Sequence, residues 1–240
     1  MKALIVFISA LLLSSITANA QELKLGFNGS VAIPQYQFED NINSPGGGLN
    51  VSALYGFADS PFGLGLDFSF IHFGTDSPPF ASGSTVSESR LRIENEFRIN
   101  QAMMLATVQQ QSGILQAYLE GLAGFNFFFS ETTVTDRRLL SSDLNTSQIS
   151  FKNIAFAWGG GAGVMIRLFD TRHPESWKRS RENLGASYIN IGFRYLHGSD
   201  AEYLRGGTIT VDNDEIMINS LRSGTDLLLF QVGFVFQFQN

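Results

Sequence analysis

The residues with the clearest potential for chemistry lie in one short stretch near the end of the chain. His197 stands two positions before Ser199, and two acidic residues, Asp200 and Glu202, follow. A serine hydroxyl becomes a nucleophile when a histidine accepts its proton and an acid orients that histidine. These residue types are common and the spacing is loose, so a polar strand end that enters a loop explains the stretch better. The sequence therefore predicts no catalytic site.

A second candidate site is the acidic run Asp212–Glu215. Clustered carboxylates attract calcium, but Ile216 stands where a calcium loop needs another oxygen ligand, and no glycine follows. The flanking segments Thr208–Val211 and Ile216–Ile218 alternate like strands, and Asn213 tolerates a tight turn. We therefore expect a hairpin that extends beyond the body of the protein, with weak calcium binding as the alternative.

Composition argues against several other kinds of site. The chain has 240 residues and no cysteine, which excludes disulfides and cysteine-based zinc sites. Its formal net charge of −6 provides no basic surface for nucleic acid. The glycine run Gly159–Gly161 lies within a strand-like segment and does not predict a phosphate-binding loop. The basic turn 170–184 is expected to be solvated or to contact lipid headgroups. We expect no cofactor and no bound metal.

The first twenty residues have the pattern of an export signal. Lys2 supplies the positive charge, Ala3–Leu13 the apolar stretch, and Ala18–Ala20 the small residues of a cleavage site. The sequence therefore predicts a signal peptide at 1–20 and a single mature domain at 21–240.

Beyond residue 20 the chain alternates between apolar residues and polar or small ones, the pattern of a strand with two different faces. The segments are long for a sandwich, where about five or six residues are usual, and suit a tilted membrane-crossing strand of about 9–11 residues. An even number of such strands closes into a barrel without an exposed edge. The eight predicted strands lie at 23–31, 49–57, 62–70, 91–99, 114–134, 149–169, 185–197 and 226–238.

The predicted fold is therefore all-β: an eight-stranded antiparallel up-and-down transmembrane β-barrel with long extracellular loops. In such barrels the extracellular connections are long and the periplasmic turns short. The connections expected outside the cell are 34–47, 74–87, 135–148 and 198–224, and those expected in the periplasm are 58–61, 100–113 and 170–184.

The distribution of charge favours a membrane barrel over a soluble carrier barrel. A soluble carrier has a dense, lysine-rich outer face, whereas here arginine and acidic residues stand in near balance among glycines on the polar face. This composition fits a narrow interior in which charges must pair. The residues predicted to form that interior charge network are Lys24, Asp67, Arg92, Glu94, Glu96, Arg98, Glu120, Arg167 and Arg194.

The opposite face of the strands is apolar, carries no charge and is predicted to contact lipid. Its members are Phe68, Phe70, Phe125, Phe127, Phe156, Ile191, Phe193, Phe234 and Phe236. Aromatic residues near the strand ends are typical of membrane interfaces. Those predicted for the inner interface are Tyr55, Phe57, Phe62 and Phe238, and those for the outer one Phe127, Phe129, Trp158 and Tyr195.

The segment Leu227–Phe238 resembles the C-terminal strand of bacterial outer-membrane proteins, with Phe234, Phe236 and Phe238 in the place of its aromatic assembly signal. Three further segments, Tyr118–Phe125, Trp158–Val164 and Gly192–Tyr195, are similar to small outer-membrane barrels of the Bacteroidota type, in the class of outer membrane proteins A, X and W. The resemblance implies a monomer in a Gram-negative outer membrane. It also implies contact with outer-membrane lipids and insertion by the barrel-assembly machinery.

The function expected from this resemblance is a structural or surface-interaction role, exerted through the extracellular loops on an unidentified extracellular partner. The alternative is a narrow channel or binding barrel for a small solute. The pair His197 and Ser199 is also similar to the His-x-Ser pair of outer-membrane lipid A deacylases, which makes a lipid hydrolase a remote third option.

Overall fold

A computed structural model describes residues 20–42, 44–57, 60–76, 91–136, 146–170, 184–212 and 215–239. The predicted signal peptide, apart from residue 20, lies outside the described residues. The described part contains ten strands and one short helix, α1 (Gln37–Asn41). The strands are β1 (Ala20–Pro34), β2 (Gly46–Phe57), β3 (Phe62–Asp76), β4 (Leu91–Gln109), β5 (Leu115–Asp136), β6 (Thr146–Asp170), β7 (Leu184–Gly198), β8 (Ala201–Asp212), β9 (Glu215–Ser223) and β10 (Leu227–Gln239).

Eight of these strands form one closed antiparallel barrel, in the order β1-β10-β7-β6-β5-β4-β3-β2. The first strand pairs with both β2 and β10, which closes the sheet on itself. The predicted eight-stranded antiparallel barrel is confirmed. Among the described residues, no helix is long and apolar enough to cross a membrane.

The strands are staggered around the barrel. The row of paired residues that begins at Leu23 crosses all eight strands and returns to β1 at Ile33, ten residues further along. Such a stagger tilts strands by roughly 35–45° from the barrel axis. A barrel of eight strands encloses just enough space for side chains, so the interior is expected to be packed.

The two ends of the barrel differ. One end, which we call the turn end, carries the short β2–β3 and β4–β5 connections. The other, which we call the mouth, carries the β1–β2, β3–β4 and β5–β6 connections and the link from β7 to β10. The predicted turn at 100–113 is wrong, because β4 continues to Gln109. The alternation in this part of β4 is weak, because both faces are apolar. The outward residues are Ala102 and Met104, and the inward ones are Met103 and Leu105.

The β7–β10 link is a separate two-stranded ribbon of β8 and β9. Their pairing runs from Ala201 opposite Ser223 to Asp212 opposite Glu215. The predicted hairpin is therefore confirmed. Its tip, residues 213 and 214, lies outside the described residues, so the alternative of weak calcium binding there stays untested.

Candidate functional site

The middle of the barrel interior holds one buried cation between two buried anions, which we call the charge cluster: Arg194 on β7, Asp67 on β3 and Glu120 on β5. Arg194 Nε and Nη2 lie 2.6 and 3.1 Å from the two carboxylate oxygens of Glu120. Arg194 Nη1 lies 2.9 Å from Asp67 Oδ2. All three side chains are at most 6% exposed. Because the planar guanidinium pairs with both carboxylates at once, the cluster cross-links three strands.

A glycine makes room for this cluster. In the register, Gly161 of β6 lies opposite Glu120 on one side and opposite Arg194 on the other. A Cβ atom on Gly161 would come within 2.5 Å of the Phe193 carbonyl oxygen, 2.8 Å of Glu120 Oε1 and 2.9 Å of Arg194 Cγ. A larger residue at 161 would therefore displace one of the two partners.

A chain of amide side chains extends from the charge cluster around the barrel wall. Asn50 Nδ2 donates a hydrogen bond to Asp67 Oδ1 at 2.7 Å, and Asn28 Nδ2 donates to Asn50 Oδ1 at 3.0 Å. Asn190 Nδ2 donates to Asn28 Oδ1 at 3.0 Å, so the chain returns to β7, the strand of Arg194. Every donor in the chain points toward Asp67, which stabilises its negative charge where little water is available.

Three of the nine residues predicted for the interior network meet in the charge cluster. Lys24 is also buried, but its Nζ lies 3.5 Å from Glu22 Oε2, near the turn end. Arg167 lies at the turn end as well, where its Nη2 donates to the Gly113 carbonyl at 2.6 Å. The side chains of Arg92 and Glu94 lie outside the described residues.

The structure corrects the prediction for Glu96 and Arg98, which point away from the interior. Arg98 Nε lies 3.4 Å from Glu96 Oε1, and both side chains are well exposed, at 48% and 38%. The inward residues of this part of β4 are Phe97 and Ile99, both buried. The physical reason is that this part of β4 lies near the mouth, where the apolar side chains pack inward and the charged ones point outward.

The interior next to the mouth is filled by four phenylalanines, which we call the aromatic plug: Phe38 of α1, Phe73 of β3, Phe97 of β4 and Phe128 of β5. The ring centroid of Phe38 lies 6.1, 6.0 and 6.3 Å from those of Phe73, Phe97 and Phe128. Phe38 has no exposed surface. Other members of the same buried apolar cluster include Ile71, Ile99, Leu196, Leu227 and Leu229. The plug was not predicted from the sequence, because the alternation assigned Phe97 to the apolar outer face and Phe38 lies in a predicted loop, 34–47.

The helix α1, which carries Phe38, is hydrogen-bonded to the rest of the chain at the edge of the mouth. The N–H of Gln35, just before α1, donates to the Asp226 carbonyl at 3.0 Å. Tyr36 has a φ of 54°, a left-handed conformation that costs a residue with a side chain about 1–3 kcal/mol. Burial of Phe38 in the plug offsets this cost, so α1 closes the barrel at its mouth.

A polar cluster lies on the rim of the mouth around the carboxylate of Asp226. Tyr195 Oη donates to Asp226 Oδ2 at 2.7 Å, and the Gly198 N–H donates to Oδ1 at 3.1 Å. His197 Nδ1 lies 2.8 Å from the same Oδ1, and the His197 ring packs edge-on against Trp158 at 5.7 Å between centroids. Asp226 therefore ties the end of β7 to the start of β10.

This rim cluster changes the assignment of the acid beside His197. Sequence reasoning suggested Asp200 or Glu202, whereas the structure places Asp226 there. Asp200 instead lies 3.5 Å from Arg222 of β9. The contacts of Ser199 come from its backbone, because its N–H donates to the Phe156 carbonyl and its carbonyl accepts from Thr225. A residue 29 positions after His197 could not be selected from sequence spacing.

The residues predicted to contact lipid lie on the outward face of their strands. Seven of them are 45–59% exposed, and Phe127 and Phe236 are partly exposed. At the turn end, Tyr55 and Phe57 pack edge to face, with ring centroids 5.7 Å apart. The outer surface is thus apolar around the barrel while the charge cluster is enclosed within it.

Taken together, the fold and the site define a small closed eight-stranded β-barrel with a packed interior. Solved structures similar to this chain include the attachment invasion locus protein Ail of Yersinia pestis (14% identity, covering 92% of this chain and 99% of that one, TM-score 0.46). They also include Neisserial surface protein A (11%, 91% and 97%, TM-score 0.42) and a major outer membrane protein from Thermus thermophilus (13%, 90% and 99%, TM-score 0.45). No family model and no curated protein matches the chain.

Proposed function

We propose that the protein is an integral β-barrel of a Gram-negative outer membrane. The support is the outward surface, on which large apolar side chains remain exposed on every strand of the barrel. A soluble monomer rarely exposes a continuous apolar surface larger than a few hundred Å². Examples, one for each barrel strand, are Phe27, Leu49, Phe68, Met104, Leu119, Phe156, Phe193 and Val232.

The closed hydrogen-bond ring is compatible with this location, because a bilayer offers no partner for the backbone groups of an open sheet edge. The turn end then faces the periplasm and the mouth faces outward, as in other transmembrane barrels. The signal peptide predicted at 1–20 agrees with export, and the aromatic residues Phe234, Phe236 and Phe238 would present the signal for the barrel-assembly machinery.

Fractionation of cells tests the location. The mature chain is expected with the outer membrane, and on unheated detergent gels it should run faster than after boiling, because the closed barrel resists unfolding. Recovery in the periplasmic fraction without detergent would show that the apolar surface serves a soluble carrier instead.

Within that membrane we propose a structural or surface-interaction role, exerted by the connections at the mouth and by the β8–β9 ribbon on an extracellular partner. The observation that carries this proposal is the closure of the interior by two layers. The aromatic plug around Phe38 fills the part next to the mouth, and the charge cluster around Arg194 spans the middle. A closed barrel can act through its surface but gives solutes no free passage.

Planar-bilayer recordings of the purified protein test closure against the alternative of a narrow channel. We expect no conductance steps from the unaltered protein. Phe38→Ala should also stay closed, because the charge cluster remains beneath the plug. Reproducible steps from the unaltered protein would refute closure and support the channel or binding barrel.

One observation supports a second candidate function, a lipid hydrolase. The pair of His197 and Asp226 lies on the rim with His197 54% exposed on the outer face, where it can meet lipid headgroups. Such an enzyme would need Ser199 as the nucleophile, with His197 as its base. A serine-reactive fluorophosphonate probe should label the unaltered protein and spare Ser199→Ala if this function is present. Equal labelling of the unaltered protein and Ser199→Ala, or no labelling of either, would exclude the hydrolase function.

A further inference from the structure

A small cavity lies between the charge cluster and the turn end. Its volume is about 50 Å³. The polar residues that line it come from five strands and carry charges of both signs. They include Lys24, Thr107, Tyr118, Glu120, Asn190 and Arg194.

Two buried oxygen atoms on the wall of this cavity have no hydrogen-bond partner in the protein. They are Thr107 Oγ1 and Asn190 Oδ1, on residues that are 6% and 5% exposed. The amide nitrogen of Asn190 is already used, because it donates to Asn28. Buried polar atoms are nearly always bonded to protein or to ordered water, so these two atoms indicate an occupant.

The size and the lining of the cavity specify that occupant. One water needs about 10–15 Å³ of such space, so the cavity has room for about three to five waters. The Lys24 ammonium disfavours a cation, and the Glu120 carboxylate disfavours an anion. Water is the molecule that can donate to Asn190 Oδ1 and also exchange hydrogen bonds with the Thr107 hydroxyl.

We infer that this cavity is a structural hydration site, which holds about three to five ordered waters against the charge cluster. The waters satisfy Thr107 and Asn190 and solvate the side of Glu120 that faces the turn end. The aromatic plug lies on the other side of the charge cluster, next to the mouth. The inference concerns the interior alone and does not depend on the proposed function.

Ser30 provides an internal control. Its Oγ is also buried without a partner, but Ser30 does not line the cavity. Ser30 therefore represents a buried hydroxyl outside the cavity, which the proposed waters do not reach.

The first test is nuclear magnetic resonance of the folded protein in lipid nanodiscs, with magnetisation transferred from water. Cross-peaks with water are expected at the side chains of Thr107 and Asn190 and not at Ser30. Their absence at both Thr107 and Asn190 would overturn the inference.

The second test compares urea midpoints of Thr107→Val and Ser30→Ala. A buried hydroxyl without any hydrogen-bond partner destabilises the folded state. Its removal in Ser30→Ala should therefore keep or raise the urea midpoint. Thr107→Val should lower it, because the waters lose a partner. A higher midpoint for Thr107→Val would show that the cavity is dry.

Discussion

Removal of Arg194 is the sharpest perturbation of the barrel interior. The charge cluster has one positive and two negative groups, so it carries a net charge of −1. Arg194→Met keeps the length of the side chain but leaves Asp67 and Glu120 buried without a cation. Loss of one partner from a buried ion pair typically costs about 3–5 kcal/mol, which corresponds to a loss of at least roughly 100-fold in the folding equilibrium.

The same reasoning sets an order among variants. Glu120→Gln removes one of the two negative charges and leaves a neutral pair of Arg194 and Asp67, still joined at 2.9 Å. Its expected cost is about 1–3 kcal/mol, since the Arg194 bonds to position 120 weaken but no buried charge is left alone. Arg98→Met is the matched control, because Arg98 pairs with Glu96 on an exposed surface, where such pairs contribute about 0–1 kcal/mol.

The assay is urea unfolding in lipid vesicles, followed by the loss of the fast-migrating band on unheated gels. The expected order of damage is Arg194→Met, then Glu120→Gln, then Arg98→Met. Equal midpoints for Arg194→Met and Arg98→Met would mean that water already screens the cluster. A larger effect for Glu120→Gln than for Arg194→Met would show that hydrogen-bond loss, and not charge balance, dominates.

Further variants probe the plug, the lipid face and the rim, each by the same unfolding assay. Phe38→Ala should cost about 3–5 kcal/mol, because it leaves a cavity among packed rings, and an unchanged midpoint would show that α1 is not held in the mouth. Ile191→Arg should cost about 2–4 kcal/mol near the middle of the bilayer and Ile189→Arg less; equal costs would contradict the predicted depth. Asp226→Asn should lower the free energy of unfolding by about 1 kcal/mol, because the hydrogen bonds on the rim weaken. An unchanged midpoint would show that Asp226 does not stabilise the barrel. Asp200→Asn, at an exposed position, is the control expected to leave the midpoint unchanged.

The strand number and the outward face of most strands could be predicted because lipid selects apolar side chains at every second position. Phe68 and Phe193, for example, lie outward as the alternation requires. The members of the charge cluster were also visible in the sequence, because buried charges in a barrel of this size must find partners. Which charges meet was not visible, since Asp67, Glu120 and Arg194 are brought together by the stagger of three strands that are far apart in sequence.

The rim cluster could not be predicted for a related reason. The acid beside His197 is Asp226, which follows the whole β8–β9 ribbon in the chain. Neither the length of that insertion nor the return of the chain to the same rim is encoded in a local spacing. Residues close in sequence, such as Asp200, were therefore the natural but incorrect choice.

The aromatic plug was missed because the apolar face of a strand changes along its length. The same strand is apolar on its outer face in one part and on its inner face in another. On β3, Phe70 points outward into the apolar belt, whereas three positions later Phe73 points inward and His72 points outward. On β4 the same change places Phe97 inside and Arg98 outside. Outside the bilayer the outer wall meets water, so the apolar side chains of the same strand must turn to the interior. The level at which this reversal occurs on neighbouring strands therefore marks where the proposed membrane ends, and the plug is the core of the short water-exposed barrel above it.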